Sequence, residues 1–89
     1  MPEQRYVLFY EYAADILERR APHREAHLAE IRAGLQEGRI LMGGPLGDPP
    51  HGAAIVFVQR EPAEAFPQAD PYVANGLVTA WRVEPWALV

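Results

Sequence analysis

Two side chains in this sequence have the types and the placement for acid–base chemistry. One is His27, on a stretch of helical periodicity; the other is Asp70, which opens the run Asp70-Pro71-Tyr72-Val73-Ala74-Asn75-Gly76 just ahead of a strand. An imidazole exchanges protons near neutral pH, and a carboxylate next to it can steer which ring nitrogen does so. The chain offers no other acid–base constellation of this kind. A second duty competes for Asp70. Proline suits the first turn of a helix, so an aspartate before Pro71 also reads as an N-cap whose carboxylate accepts backbone N–H groups. For His27 the plain alternative is a solvated or capping histidine on a helix edge.

Other chemistries are thinly supplied. The chain has no cysteine, so it has no disulfide, thiolate ligand or thiol nucleophile. It also lacks serine, and Thr79 is its only threonine, which removes hydroxyl nucleophile catalysis. His23 and His27 stand one helical turn apart, a spacing that can hold a metal, but only Glu30 lies near at a matching position and no zincin pattern is present. Neither a metal nor a cofactor is expected. His51 sits in a Gly/Pro loop and reads as solvent-exposed. Gly43, Gly44, Gly47 and Gly52 are too irregular for a phosphate loop and read as turn chemistry. Trp81 and Trp86 lie on the last strand and read as core or interface.

At 89 residues the chain reads as one domain spanning positions 1–89. That length is near the lower end of what buries a self-sufficient core, so association with a second copy is expected. The net charge is -4 and the basic residues are scattered apart from the pair Arg19 and Arg20, which argues against nucleic acid as a partner. No apolar run approaches the roughly 20 residues of a membrane helix. The start, Met1-Pro2-Glu3-Gln4-Arg5, lacks the basic and apolar regions of a signal peptide. These features predict a cytoplasmic protein without a membrane partner.

The elements that must position His27 and Asp70 follow from the hydrophobic period. Tyr6 to Tyr12 reads as a strand with Val7 and Phe9 on one face and Tyr6, Leu8 and Tyr10 on the other. A helical pattern begins at Asp15, with Ala21-Pro22 as a break or restart. Leu28, Ile31 and Leu35 then form a core stripe that ends at Gly38. With about 100° per residue, this stripe places His27 at its flank, on a pocket rim. Arg39 to Met42 is a short second strand running into the turn signal Gly43-Gly44-Pro45, and a compact loop from Gly47 to Gly52 leads to a third strand, Ala54 to Val58. Glu61 to Ala69 is a short helix that Pro67 interrupts. Leu77 to Trp86 closes the chain as a strand, alternating Leu77, Thr79, Trp81 and Val83 with Val78, Ala80, Arg82 and Glu84.

The order is βαββαβ, the α+β ferredoxin-like split pattern: a four-stranded antiparallel sheet with both helices on one face and strands one and three in the middle. Helices cover one face only. The second apolar face therefore predicts a homodimer packed sheet against sheet, with Val7, Phe9, Phe57 and Trp81 as candidates for one of the two sheet faces.

Several motifs, taken in order, carry a resemblance. They are Arg24-Glu25-Ala26-His27-Leu28, the turn Glu37-Gly38-Arg39, Gly44-Pro45, the run from Asp70 to Gly76, and the closing Val83-Glu84-Pro85-Trp86. Together they are similar to the YCII-related family of the dimeric α+β barrel superfamily, whose fold relatives include muconolactone isomerases and small monooxygenases. The resemblance implies a His/Asp active-site pair, matched here by His27 and Asp70, with Arg24 and Tyr72 as matching neighbours in the substrate site. In that scheme Asp70 fixes the histidine's tautomer and raises its basicity while the other ring nitrogen moves a substrate proton. Tyr72 orients a ligand oxygen, and Arg24 holds a carboxylate or enolate.

Two features depart from the family pattern. Pro67 is expected to displace the approach to Asp70, and the compact loop from Gly47 to Gly52 implies a small or open cleft. The expected function is a lyase- or isomerase-type reaction on a small organic molecule. The alternatives are a noncatalytic ligand-binding or regulatory dimeric module that reuses the pocket, and a structural dimer without a ligand.

Overall fold

Alternation along the first strand sets up the two-faced sheet. The computed structural model describes residues 3–89; Met1 and Pro2, read above for a leader, lie outside them. The chain runs through β1 (Gln4–Tyr12), α1 (Ile16–Arg19), α2 (Ala21–Gln36), β2 (Ile40–Leu46), β3 (Gly52–Phe57), α3 (Arg60–Ala69), α4 (Pro71–Ala74) and β4 (Val78–Ala87). All pairings are antiparallel, in the order β2-β3-β1-β4. Strands one and three are central because both their faces are apolar, and β4 is an edge because its outward residues are polar. This is the α+β ferredoxin-like arrangement.

Register assigns every side chain to a face. Leu8, Tyr10, Ile55, Phe57 and Ile40 point toward the helices and are buried there with Phe66 and Leu77. Val7 pairs with Val56 and Glu84, and Phe9 with Ala54 and Arg82, so these residues form the open face. The grouping of Val7, Phe9, Phe57 and Trp81 on one face is therefore corrected. Phe57 lies opposite Tyr6, and Trp81 opposite Tyr10. Side chains directly across an antiparallel pair share a face, which puts Phe57 and Trp81 on the helix side.

The long helix begins where expected, with proline in its first turn, and ends in a Schellman motif. Gly38 takes a φ of 77°, its N–H reaching the Leu35 carbonyl while the Arg39 N–H reaches that of Gly34. Its buried line differs from the expected stripe. His27 and Gly34 are the buried residues of α2, with Ile31 packed against the core, whereas Leu35 is 44% exposed. Gly34 sets this phase, because a Cβ there would overlap the Ile40 side chain, so the helix lies close on β2. His27 thus occupies the buried line itself and not its flank.

Two further expectations are corrected. Gly43-Gly44-Pro45 does not turn the chain. It continues β2, since β3 supplies pairing partners as far as Gly52, and the turn follows at Gly47, whose φ is 86°. Pro67 does not interrupt α3 either. The helix runs on to Ala69, and the Asp70 N–H still reaches the Phe66 carbonyl at 3.1 Å. The Pro67 ring is fully buried, which offsets the backbone bond that proline cannot make.

Candidate active site

Asp70 is placed by the proline that follows it. A residue before proline is disfavoured from helical geometry, and Asp70 adopts φ -82° and ψ 120°. It therefore ends α3 and caps α4. Its Oδ1 accepts the Tyr72 N–H at 3.0 Å, so the capping duty read from sequence is fulfilled. The same carboxylate also performs the second duty. His27 Nδ1 lies 2.9 Å from both Asp70 oxygens, across 43 residues of chain, and the Tyr10 hydroxyl donates to Oδ2 at 2.9 Å.

A buried carboxylate is tolerated only when its charge is met by donors. Asp70 is 1% exposed, and the Tyr72 N–H, the Tyr10 hydroxyl and the His27 ring N–H all converge on it. Tyr10 keeps its proton: burial first, then the neighbouring Asp70 charge, hold the phenol far above its ordinary range. With Nδ1 committed to Asp70, Nε2 is the ring nitrogen without a hydrogen-bond partner among the described residues.

The imidazole is clamped as well as hydrogen-bonded. It stacks face to face on Tyr72 at 3.8 Å, with planes 4° apart, and the ring of Phe66 meets it edge-on at 6.5 Å. His27 is 8% exposed, its open side lining a cavity of about 200 Å³. Tyr12, Arg20, Arg24 and Tyr72 supply the polar wall, and Ile16, Leu28, Ile31, Ile55 and Pro45 the apolar one. Burial, then the neighbouring Tyr72 and Asp70, push the Tyr12 phenol up to about 12, while Arg20 and Arg24 pull the other way. Tyr12 thus remains a hydroxyl donor at neutral pH.

All four residues singled out from sequence, His27, Asp70, Arg24 and Tyr72, meet at this one place. No residue of the compact loop from Gly47 to Gly52 lines the cavity. Sequence reasoning missed Tyr10, Tyr12 and Arg20. Tyr10 had a signal: a phenol on the inner face of a central strand must find a hydrogen-bond partner.

An antiparallel βαββαβ sheet with a buried His–Asp pair under its helices places the chain among small α+β proteins of ferredoxin-like fold. The chain belongs to the YCII-related family, whose domain profile matches residues 4–87. Protein YciI of Escherichia coli is 37% identical over 95 residues, covering 94% of this chain and 97% of that protein. Protein YciI of Shigella flexneri matches to the same extent. Among solved structures, the fold resembles 5-chloro-2-hydroxyhydroquinone dehydrochlorinase from Burkholderia phenoliruptrix in complex with 2,5-dihydroxybenzoquinone. There the TM-score is 0.73 and the identity 23%, with 92% of each chain covered. At that identity the likeness is one of fold.

Proposed function

We propose that this protein is a small acid–base enzyme of lyase or isomerase type, in which His27 moves a proton on a one-ring organic substrate and Asp70 holds it in position. The observation that carries this reading is the contact of His27 Nδ1 with the buried Asp70 carboxylate, at 2.9 Å, on the wall of a cavity. In the neutral ring, an N–H donated to Asp70 from Nδ1 leaves Nε2 with a lone pair. Nε2 then removes a proton from an O–H or C–H of the substrate, and the electron pair left behind forms a new double bond. If the proton returns at another atom the reaction is an isomerisation. If a neighbouring group departs with its electron pair, it is an elimination. Tyr72 and Arg24 hold the substrate oxygens, and developing charge is met by fixed donors.

The volume supports a substrate of this size. Drug-sized ligand sites run from roughly 300 to 1,000 Å³, whereas an apolar cavity of about 150 Å³ accepts one benzene ring. The fold neighbour that removes chloride from a hydroxylated ring adds a first compound to test. Chloride release from 5-chloro-2-hydroxyhydroquinone, with a panel of one-ring phenols, enols and carboxylates followed by NMR, is the direct assay. Turnover that falls about 100-fold or more in His27→Gln is expected. Turnover retained in that variant contradicts the reading, and saturable binding with no turnover of any panel member favours the noncatalytic ligand-binding module.

The working unit in this proposal is a cytoplasmic homodimer packed through the open sheet face. Val7, Phe9, Ala54 and Val56 line a broad groove of about 650 Å³ there, and its margins expose Met42 (62%) and Trp86 (49%). Apolar surface this contiguous is commonly covered by a partner. Sedimentation at micromolar concentration is expected to give a dimer, and a monomer there removes this part of the proposal.

A further inference from the structure

Six of the eight arginines of this chain are ion-paired, and the two exceptions coincide. It has eight Lys+Arg residues, every one an arginine. Arg5, Arg19, Arg32, Arg39, Arg60 and Arg82 each have a carboxylate within ion-pairing distance. Arg20 and Arg24 have none among the described residues, and both line the cavity that holds His27. They sit one turn apart at the start of α2, whose first turn contains no acidic residue.

By helix energetics this is the wrong arrangement. Cations oppose the positive end of the helix dipole, and like charges at i,i+4 repel. A second feature belongs to a residue that lines the same cavity. Tyr72 is 2% exposed, and its hydroxyl is buried without a hydrogen-bond partner, a group that costs free energy unless a ligand or solvent answers it. Tyr12, kept protonated, is another donor on this wall. Beyond the His27–Asp70 pair, each polar side chain that lines the cavity can donate, and two of them carry full positive charge.

We infer that Arg20 and Arg24 form a two-arginine clamp that selects a one-ring substrate carrying at least one ionised oxygen, such as an enolate, a phenolate or an aryl carboxylate. The anionic edge meets the guanidinium groups and the Tyr12 hydroxyl. The ring lies against Ile31 and Ile55, within reach of His27. Arginine suits this role because its planar fork grips two oxygens at once. The inference deepens the proposed reaction and rests on it only for the placing of the reacting atom next to His27; anion selection stands on the arginines themselves.

The test is calorimetric binding of two one-ring probes, 2,5-dihydroxybenzoquinone, which is ionised at neutral pH, and uncharged hydroquinone. The parent protein is expected to bind the anion at least about tenfold more tightly than hydroquinone, with an affinity that falls as salt rises. Arg20→Gln and Arg24→Gln should each weaken the anion about tenfold and leave hydroquinone unchanged. Arg32→Gln, on the same helix but ion-paired outside the cavity, serves as the control for folding and for general charge and should bind as the parent does. Equal binding of the two probes, no binding of the anion by the parent, or parental affinity in both clamp variants would overturn the inference. Anion selection that survives alongside absent turnover would remove the catalytic reading and leave the clamp standing.

Discussion

The two faces of this sheet carry hollows of opposite character. Under the helices lies the smaller one, about 200 Å³, lined by a histidine, two tyrosines and two arginines around apolar side chains. On the open face lies the larger one, about 650 Å³, bordered by aliphatic and aromatic residues, with the Arg82–Glu84 ion pair on its β4 side. Size and polarity run in opposite directions in the two hollows. A reactive site needs convergent polar groups held in fixed positions, and only the helix face has them. The open face offers broad apolar contact with its charges at one edge, the composition of a subunit interface. One strand serves both: Tyr10 and Tyr12 of β1 point into the site region while Val7 and Phe9 point away from it.

The sharpest way to break this comparison is to remove the carboxylate that anchors the helix face. Asp70→Ala strands the Tyr10 hydroxyl, the Tyr72 N–H and the His27 ring N–H in the interior and deletes the α4 cap. A loss of about 3 to 5 kcal/mol in folding stability is expected, measured by denaturant midpoints. A loss below about 1 kcal/mol, the scale of one ordinary hydrogen bond, would show that the carboxylate is not the hub described here.

On the other face, Met42→Asp places a carboxylate at the margin of the apolar groove. Association should weaken by at least about 2 kcal/mol, since an interfacial charge would be left unpaired. Velocity sedimentation is expected to move from dimer to monomer, while anion binding in the helix-side cavity is unchanged. Coupled loss of both properties would mean that the two faces are not separable.

A pH profile sharpens the assignment of Tyr10. Its folded-state pKa is raised by burial and by Asp70, so the stability it contributes is fully present below the unfolded value of about 10 and is lost as pH rises toward the folded one. Tyr12, raised to about 12, adds to the same decline between those values. Tyr10→Phe should cost about 1 kcal/mol at neutral pH, yet its stability should fall less steeply above pH 10 than the parent's, by up to about 1.4 kcal/mol per pH unit. Parallel pH curves for parent and variant would contradict this. The smallest effect belongs to the exposed pair Arg32–Glu25. Arg32→Gln should change stability by less than about 1 kcal/mol, as chemical denaturation will measure.

Much of the architecture was legible because burial leaves a periodic mark. The two-sided apolar pattern of β1 and β3 places them in the centre, and Asp70-Pro71 announces a helix start with its cap. What was not legible depended on phase or on distance in space. The stripe of α2 was phased on Leu35, which proves exposed, because a buried histidine and a glycine add no apolar signal to a hydrophobic pattern. The faces of Phe57 and Trp81 needed the strand register, which fixes them opposite Tyr6 and Tyr10. Pro67 was read as a breaker, but tertiary packing of its ring overrode the local penalty. The isolation of Arg20 and Arg24 emerged only after every other arginine had found its carboxylate.

The central claim is that Asp70 holds Nδ1 of His27 and leaves Nε2 to work in the cavity. Nitrogen-15 NMR of the ring, at a pH where the imidazole is neutral, tests it without any knowledge of the substrate. The account predicts a protonated Nδ1 and a bare Nε2 in the parent, with that preference lost in Asp70→Asn. A parent ring protonated at Nε2, or one whose tautomer does not respond to Asp70→Asn in a folded protein, would contradict it.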